Sequence, residues 1–181
     1  MIDSIENCTN CGLVNGCKQP IEGEGNLHAK VMVVGEAPGK SEDLHGRPFI
    51  GKSGKLLNEI LEEAGLSREE VYITNIVKCR PPGNRNPEPE EVDACFPHLH
   101  AQIELIKPTV IIALGAFAAR VLTEREEPIS SIRGKAFGVT DFVVVPTFHP
   151  AYILRNRNKR ELLVKDIKFA KHVLDYEGGL V

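Results

Sequence analysis

The chain has no apolar run long enough to cross a bilayer. Its first twenty residues, Met1 to Pro20, carry cysteines and polar groups where a secretory signal would carry a hydrophobic stretch. Together these absences predict an intracellular, cytoplasmic protein with no membrane partner. There is no internal repeat and no low-complexity tract. Nor is there an excess of basic charge: a formal net charge of −3 argues against a globally basic nucleic-acid binder, while leaving local patches open. Glutamine is nearly missing, two residues among 181, whereas Lys+Arg number 22 and Asp+Glu 25, the balance of a heat-adapted protein.

What is present is ordinary in bulk. A chain of 181 residues with 42% hydrophobic content has enough apolar surface for one core, so a single domain over residues 1–181 is expected. Four apolar runs read as strands: Val31 to Gly35, Val71 to Ile76, Thr109 to Leu114 and Phe142 to Val145. Helical patterns lie between and after them, over Lys55 to Ala64, Glu88 to Ile106, Ala116 to Leu122 and Glu161 to Leu174. Gly65 stops the first, and Pro108 follows the second. Alternating strands and helices predict an α/β fold with a four-stranded parallel sheet, flanked by helices on both faces.

In such a sheet every loop after a strand falls on the same edge, where ligands bind. The unusual residues of this chain sit in those loops: Gly35-Glu36-Ala37-Pro38-Gly39, Asn75, Gly115 and His149-Pro150-Ala151-Tyr152. Glycine in the first loop lets backbone approach a ligand closely. His149, just past a buried strand and stiffened by Pro150, is a candidate functional histidine. The run Arg155-Asn156-Arg157-Asn158-Lys159-Arg160 directly follows this loop and is strongly basic.

Gly46-Arg47-Pro48-Phe49-Ile50-Gly51-Lys52-Ser53 matches the phosphate-binding pattern G-x-x-x-x-G-K-S letter for letter. The match lacks its context. The nearest strand ends at Gly35, Pro48 removes an amide, and no later strand ends in an acidic residue for magnesium. Four cysteines form a more coherent set. Cys8 and Cys11 make a C-x-x-C pair, Cys79 and Cys95 lie further along, and Cys17 is an extra. Disulfides bring little to a cytosolic protein, so a metal centre accounts for them better, either zinc or an iron–sulfur cluster.

Gly35-Glu36-Ala37-Pro38-Gly39 with Glu42-Asp43, Gly46 to Gly51, Thr74-Asn75-Ile76-Val77-Lys78-Cys79-Arg80-Pro81-Pro82 and His149-Pro150-Ala151-Tyr152 together resemble the family 4 uracil-DNA glycosylases, in order and over nearly the whole chain. The resemblance implies an enzyme of base excision repair that flips uracil out of DNA and hydrolyses its N-glycosidic bond, leaving an abasic site. It implies a [4Fe–4S] cluster, rather than zinc, on Cys8, Cys11, Cys79 and Cys95, held by an N-terminal cluster-binding segment. Phe49 then matches the residue that stacks on uracil, Asn75 the residue that reads its edge, and Ala37 a position in the first loop beside the base. His149 matches the histidine near uracil O2.

Better-known uracil glycosylases carry an aspartate where Ala37 stands. Its absence points to a dissociative path in which Glu42, or else Glu36, orients water or stabilises the sugar cation. Arg155 and Arg157 are expected at DNA phosphates, and Leu154, with Ile153 as the alternative, as a wedge in the vacated stack. The expected partner is single- or double-stranded uracil-containing DNA, with a sliding clamp as a further partner and a monomeric state. Two other readings compete. One is a family 5-like glycosylase with broader base specificity, against which Glu36 and Asn75 argue. The other is a non-catalytic DNA-binding or polymerase-accessory domain, which would have no need of Phe49, Asn75 and His149 together.

Overall fold

The computed structural model describes residues 5–177. Its centre is a six-stranded sheet in the order β1-β3-β2-β4-β6-β5, formed by β1 (Glu24–Gly25), β2 (Val31–Gly35), β3 (Tyr72–Asn75), β4 (Val110–Leu114), β5 (Phe137–Val139) and β6 (Phe142–Thr147). The four expected strands are β3, β2, β4 and β6, and they pair in parallel. The expected count of four is corrected by two antiparallel edge strands, β1 against β3 and β5 against β6. Both are too short to show a period. β1 is two residues with a glycine whose added Cβ would fall on the Val71 carbonyl, and β5 contains Gly138.

Successive residues of the parallel strands enter opposite faces, as the two-residue period requires. Val31, Val33, Val110, Ile112 and Leu114 join one buried cluster, and Met32, Val34, Ile111 and Ala113 the other. The first cluster is covered by α2 (Lys52–Glu63), α6 (Pro150–Arg155) and α7 (Arg160–Glu177). The second is covered by α3 (Pro89–Ile106), α4 (Ala116–Thr123) and α5 (Ile129–Ile132). Helices therefore lie on both faces, as expected. α1 (Lys40–His45) and α6 are six residues each and α5 is four, too short to announce themselves by periodicity. α3 starts with a reciprocal capping box in which Glu88 and Glu91 bind each other's backbone amides, and Lys107, in the left-handed region, ends it before Pro108.

The chain leaves β2 for β3 on one side and later reaches β4 on the other. The carboxyl end of β2 is therefore the topological switch point, where open α/β sheets place their ligands. At the far side, a buried network fixes the end of β6. Arg133, just after α5, makes a bidentate pair with Asp166 of α7, and the Thr147 hydroxyl donates to Asp166 Oδ2 at 2.6 Å. Asp166 is buried, so its removal leaves an arginine without its partner in a water-poor site. Asp166→Ala is expected to destabilise the protein by about 3–5 kcal/mol in denaturant unfolding, and a change below about 1 kcal/mol would contradict this account.

Candidate active site

Three loops on the carboxyl edge enclose a cleft of about 510 Å³. The loop after β2 contributes Glu36, Ala37, Pro38 and Gly39, the end of β3 contributes Asn75, and the segment after β6 contributes His149, Ala151, Tyr152 and Arg155. Glu42 of α1 and Phe49, from the connection between α1 and α2, complete it. All six residues expected to act on the base or its bond thus line one cavity: His149, Glu42, Glu36, Ala37, Phe49 and Asn75. Of the three expected DNA contacts, Arg155 is exposed on the cleft wall, while Leu154 and Arg157 lie outside the lining. Ile153 is 1% exposed in the core, which removes it as a wedge.

Asn75 closes the inner end of the parallel ladder, paired with Gly35 of β2. Its side chain is buried, yet Oδ1 is, among the described residues, the buried side-chain nitrogen or oxygen with no hydrogen-bond partner. Buried acceptors are nearly always paired, so an orphan on a residue that lines the cleft marks a place for a ligand donor. Its backbone carbonyl is held by Lys78 Nζ at 2.8 Å, which also donates to Thr74 Oγ1 and Gln102 Oε1. Burial pulls the Lys78 ammonium down to about 7.

Phe49 reaches the cleft from a left-handed backbone with φ 49°, and its ring centroid lies 5.7 Å from that of His149. His149 caps α6 with its own side chain: the Ala151 amide donates to Nδ1 at 3.0 Å. An acceptor at Nδ1 places the ring proton on Nε2, so His149 presents a neutral N–H donor. Desolvation drives its pKa down to about 4, aided by Arg155 and opposed by Glu42. Gly115, at φ 93°, stands behind it, and a Cβ there would lie 3.2 Å from the His149 Cβ.

Glu42 is 8% exposed, and its Oε1 accepts from the amides of Ile50 and Gly51 at 3.0 and 2.9 Å. The amides that a phosphate loop would offer its ligand are taken by a carboxylate, so the G-x-x-x-x-G-K-S match is not a phosphate site. Oε2 remains, packed against Gly39, where a Cβ would approach to 2.7 Å. Burial raises the Glu36 carboxyl above its ordinary range.

Cys8, Cys11, Cys79 and Cys95 line a second cavity, on the α3 side of the sheet. Cys17 lies outside its lining, donating to the Val14 carbonyl at 3.9 Å. Two partners of these thiols had no local signal in the sequence: His98 Nε2 lies 3.3 Å from Cys8 Sγ, and the Lys78 amide donates to Cys95 Sγ at 3.3 Å. Among the described residues no three His, Cys, Asp or Glu side chains converge as ligands of a single ion. Asn84 and Arg85, which also line the cleft, stood in no motif, and Ser53 stood only in the phosphate-loop match.

The Uracil DNA glycosylase superfamily matches residues 22–174 of this chain. The chain is 46% identical over 180 residues to a type-4 uracil-DNA glycosylase of Thermotoga maritima, covering 97% of this chain and 94% of that protein. The chain belongs to the type-4 uracil-DNA glycosylases. It is equally 46% identical to a type-4 uracil-DNA glycosylase of Pyrobaculum aerophilum, over 97% of this chain and 91% of the relative. A type-5 uracil-DNA glycosylase of the same organism is more distant, at 32% identity over 82% of this chain and 72% of the relative.

A histidine depressed to about 4 in the fold and titrating near ~6.5 when unfolded gives a definite sign. Its contribution to stability is complete above pH 6.5 and is lost as pH falls from 6.5 towards 4, because the unfolded chain takes up the proton first. NMR titration of the His149 ring should therefore show an inflection near 4, and His149→Gln should flatten the acid side of the stability curve. An inflection near 6.5 would contradict the buried neutral donor.

Proposed function

We propose that this protein flips deoxyuridine from DNA into the cleft and hydrolyses its N-glycosidic bond, leaving an abasic site. The observation that carries this reading is the unpartnered Oδ1 of buried Asn75 in a cleft that also presents an aromatic face and a neutral N–H donor. Uracil offers an N3–H donor beside an O4 acceptor. The Asn75 amide complements both, accepting through Oδ1 and donating through Nδ2, whereas cytosine presents the reverse pattern. Phe49 supplies the face for the base, and the wall formed by half-buried Ala37 and buried Pro38 bounds its edge.

Cleavage breaks the C1′–N1 bond with the electron pair leaving on the base. The negative charge spreads onto O2, where His149 Nε2–H donates to it, a donor fixed in place before the reaction and worth far more there than in water. The sugar is left as an oxocarbenium ion. Water adds its oxygen to C1′ and releases a proton, which the free Oε2 of Glu42 or solvent accepts. Glu42 is favoured over Glu36 because the Ile50 and Gly51 amides lock its orientation. Ala37 leaves no carboxylate for this task at the place where better-known uracil glycosylases carry an aspartate. Arg155 and Arg157 meet phosphates on either side of the flipped nucleotide, and half-buried Leu154 fills the stack it vacates.

The cysteine cavity is assigned to a [4Fe–4S] cluster on Cys8, Cys11, Cys79 and Cys95. Four cysteine thiols lining one cavity are the donor set that such a cluster takes. When bound, the cluster supplies covalent cross-links from the N-terminal segment to α3 and to the loop after β3.

A uracil-containing oligonucleotide incubated with the protein and then treated with alkali should be cut at the uracil, and intact strands would refute the reading. Asn75→Asp should lower kcat/KM at least about 10³-fold, because the donor to O4 disappears. His149→Ala should lower kcat about 10²–10³-fold with little change in substrate binding. Elemental analysis should find iron and inorganic sulfide in equal amounts. A colourless protein with one zinc per chain would overturn the cluster assignment.

A further inference from the structure

Arg68 lies between α2 and β3, outside the cleft lining. Its guanidinium is largely enclosed, with the side chain 14% exposed. All five of its N–H donors are engaged. Nε and Nη2 donate to Glu24 Oε1 at 2.9 and 2.6 Å, and Nη1 donates to Asn58 Oδ1 at 2.9 Å. The remaining two grip consecutive backbone carbonyls, Pro48 from Nη2 at 2.5 Å and Phe49 from Nη1 at 3.0 Å. A plain surface ion pair with Glu24 would not require this. The guanidinium sits where the chain makes its least favourable turn, because Phe49 is a bulky aromatic held at φ 49°.

The surroundings of Phe49 leave it nowhere else to go. A Cβ on Gly54 of α2 would fall on the Phe49 carbonyl group itself, so α2 presses on the carbonyl that Arg68 holds. A Cβ on Gly35 would lie 2.5 Å from the Phe49 ring tip. Glu24, the anchor of Arg68, also pairs with Arg47 two residues before Phe49, at 2.8 and 3.0 Å. The entry to the turn and its apex are thus tied to the same edge strand, β1.

We propose that Arg68 is a positioning residue for base recognition, its fork on the Pro48 and Phe49 carbonyls holding Phe49 in the left-handed turn that aims its ring into the cleft beside His149. This rests on the assignment of Phe49 as the surface on which uracil stacks. Lysine cannot replace the fork, since its compact head has three donors and no fixed plane.

The test is a binding comparison on the folded, cluster-containing protein, using free uracil and abasic-site DNA as separate probes. Arg68→Lys and Gly54→Ala should each weaken free uracil binding about tenfold, the scale of a lost base–aromatic stack, and leave abasic-site DNA binding unchanged. In a Phe49→Ala background neither change should weaken uracil binding further. If Phe49→Ala binds uracil as the parent does, the stacking assignment falls and the role of Arg68 with it. If Phe49→Ala weakens uracil binding but Arg68→Lys and Gly54→Ala do not, the Arg68 proposal alone is overturned. It is equally overturned if either adds its full effect to Phe49→Ala, or if affinity for abasic-site DNA falls in parallel. Should Arg68→Lys yield no folded protein, Gly54→Ala alone and combined with Phe49→Ala carries the same comparison.

Discussion

The cleft depends on a close approach at Gly35. This residue ends β2 at the switch point of the sheet, pairs with Asn75, and has the Phe49 ring against it. An added Cβ would sit 2.5 Å from both Asn75 Oδ1 and Phe49 Cζ. No side chain fits there, and because none is present, the residue proposed to read the base edge and the residue proposed to stack on its face meet across one backbone position. The parallel register then brings His149 to the same edge two strands away. Gly115 clears the space behind it, and the Thr147–Asp166–Arg133 network fixes the strand end from which it projects.

Polar groups around the cleft are largely committed before any ligand arrives. Glu42 holds two amides, His149 accepts one, and Lys78 anchors the Asn75 carbonyl. Among the described residues, the fully buried side-chain polar atom left unpaired is Asn75 Oδ1. Such a site has little to rearrange when charge develops on a leaving base, which is the condition under which fixed dipoles act most strongly. The neutrality of His149 follows from the same arrangement. Burial and the Ala151 amide both oppose its protonation, which suits the role proposed for it, a donor to an anion and not a proton source.

Much of this was legible in the sequence, for identifiable reasons. Val31 to Gly35 and Val110 to Leu114 are continuous apolar runs buried on both faces, so their identity as parallel strands was plain, and with them the edge on which Glu36, Asn75 and His149 would gather. The edge strands, the short helices α1, α5 and α6, and the whole of the Arg68 assembly were not legible. Glu24 and Arg68 are 44 residues apart and neither stands in a motif; their pairing exists only once β1 lies against β3. Asp166 did leave a trace, a carboxylate on the apolar stripe of α7 between Leu163 and Ile167, but its partners Arg133 and Thr147 come from other elements. The phosphate-loop match shows the converse. Its letters were right, and only the structure shows that Glu42 already fills it.

The central claim is that a preformed cleft reads uracil through Asn75 against Phe49, with His149 at O2. A crystal structure of this protein with free uracil bound tests it most directly. The account predicts uracil stacked on Phe49, its N3–H donating to Asn75 Oδ1 and its O2 accepting from His149 Nε2, with the backbone of residues 35–39 and 49 unmoved. Uracil bound elsewhere in the cleft, or bound there with Asn75 Oδ1 still unpaired, would contradict it.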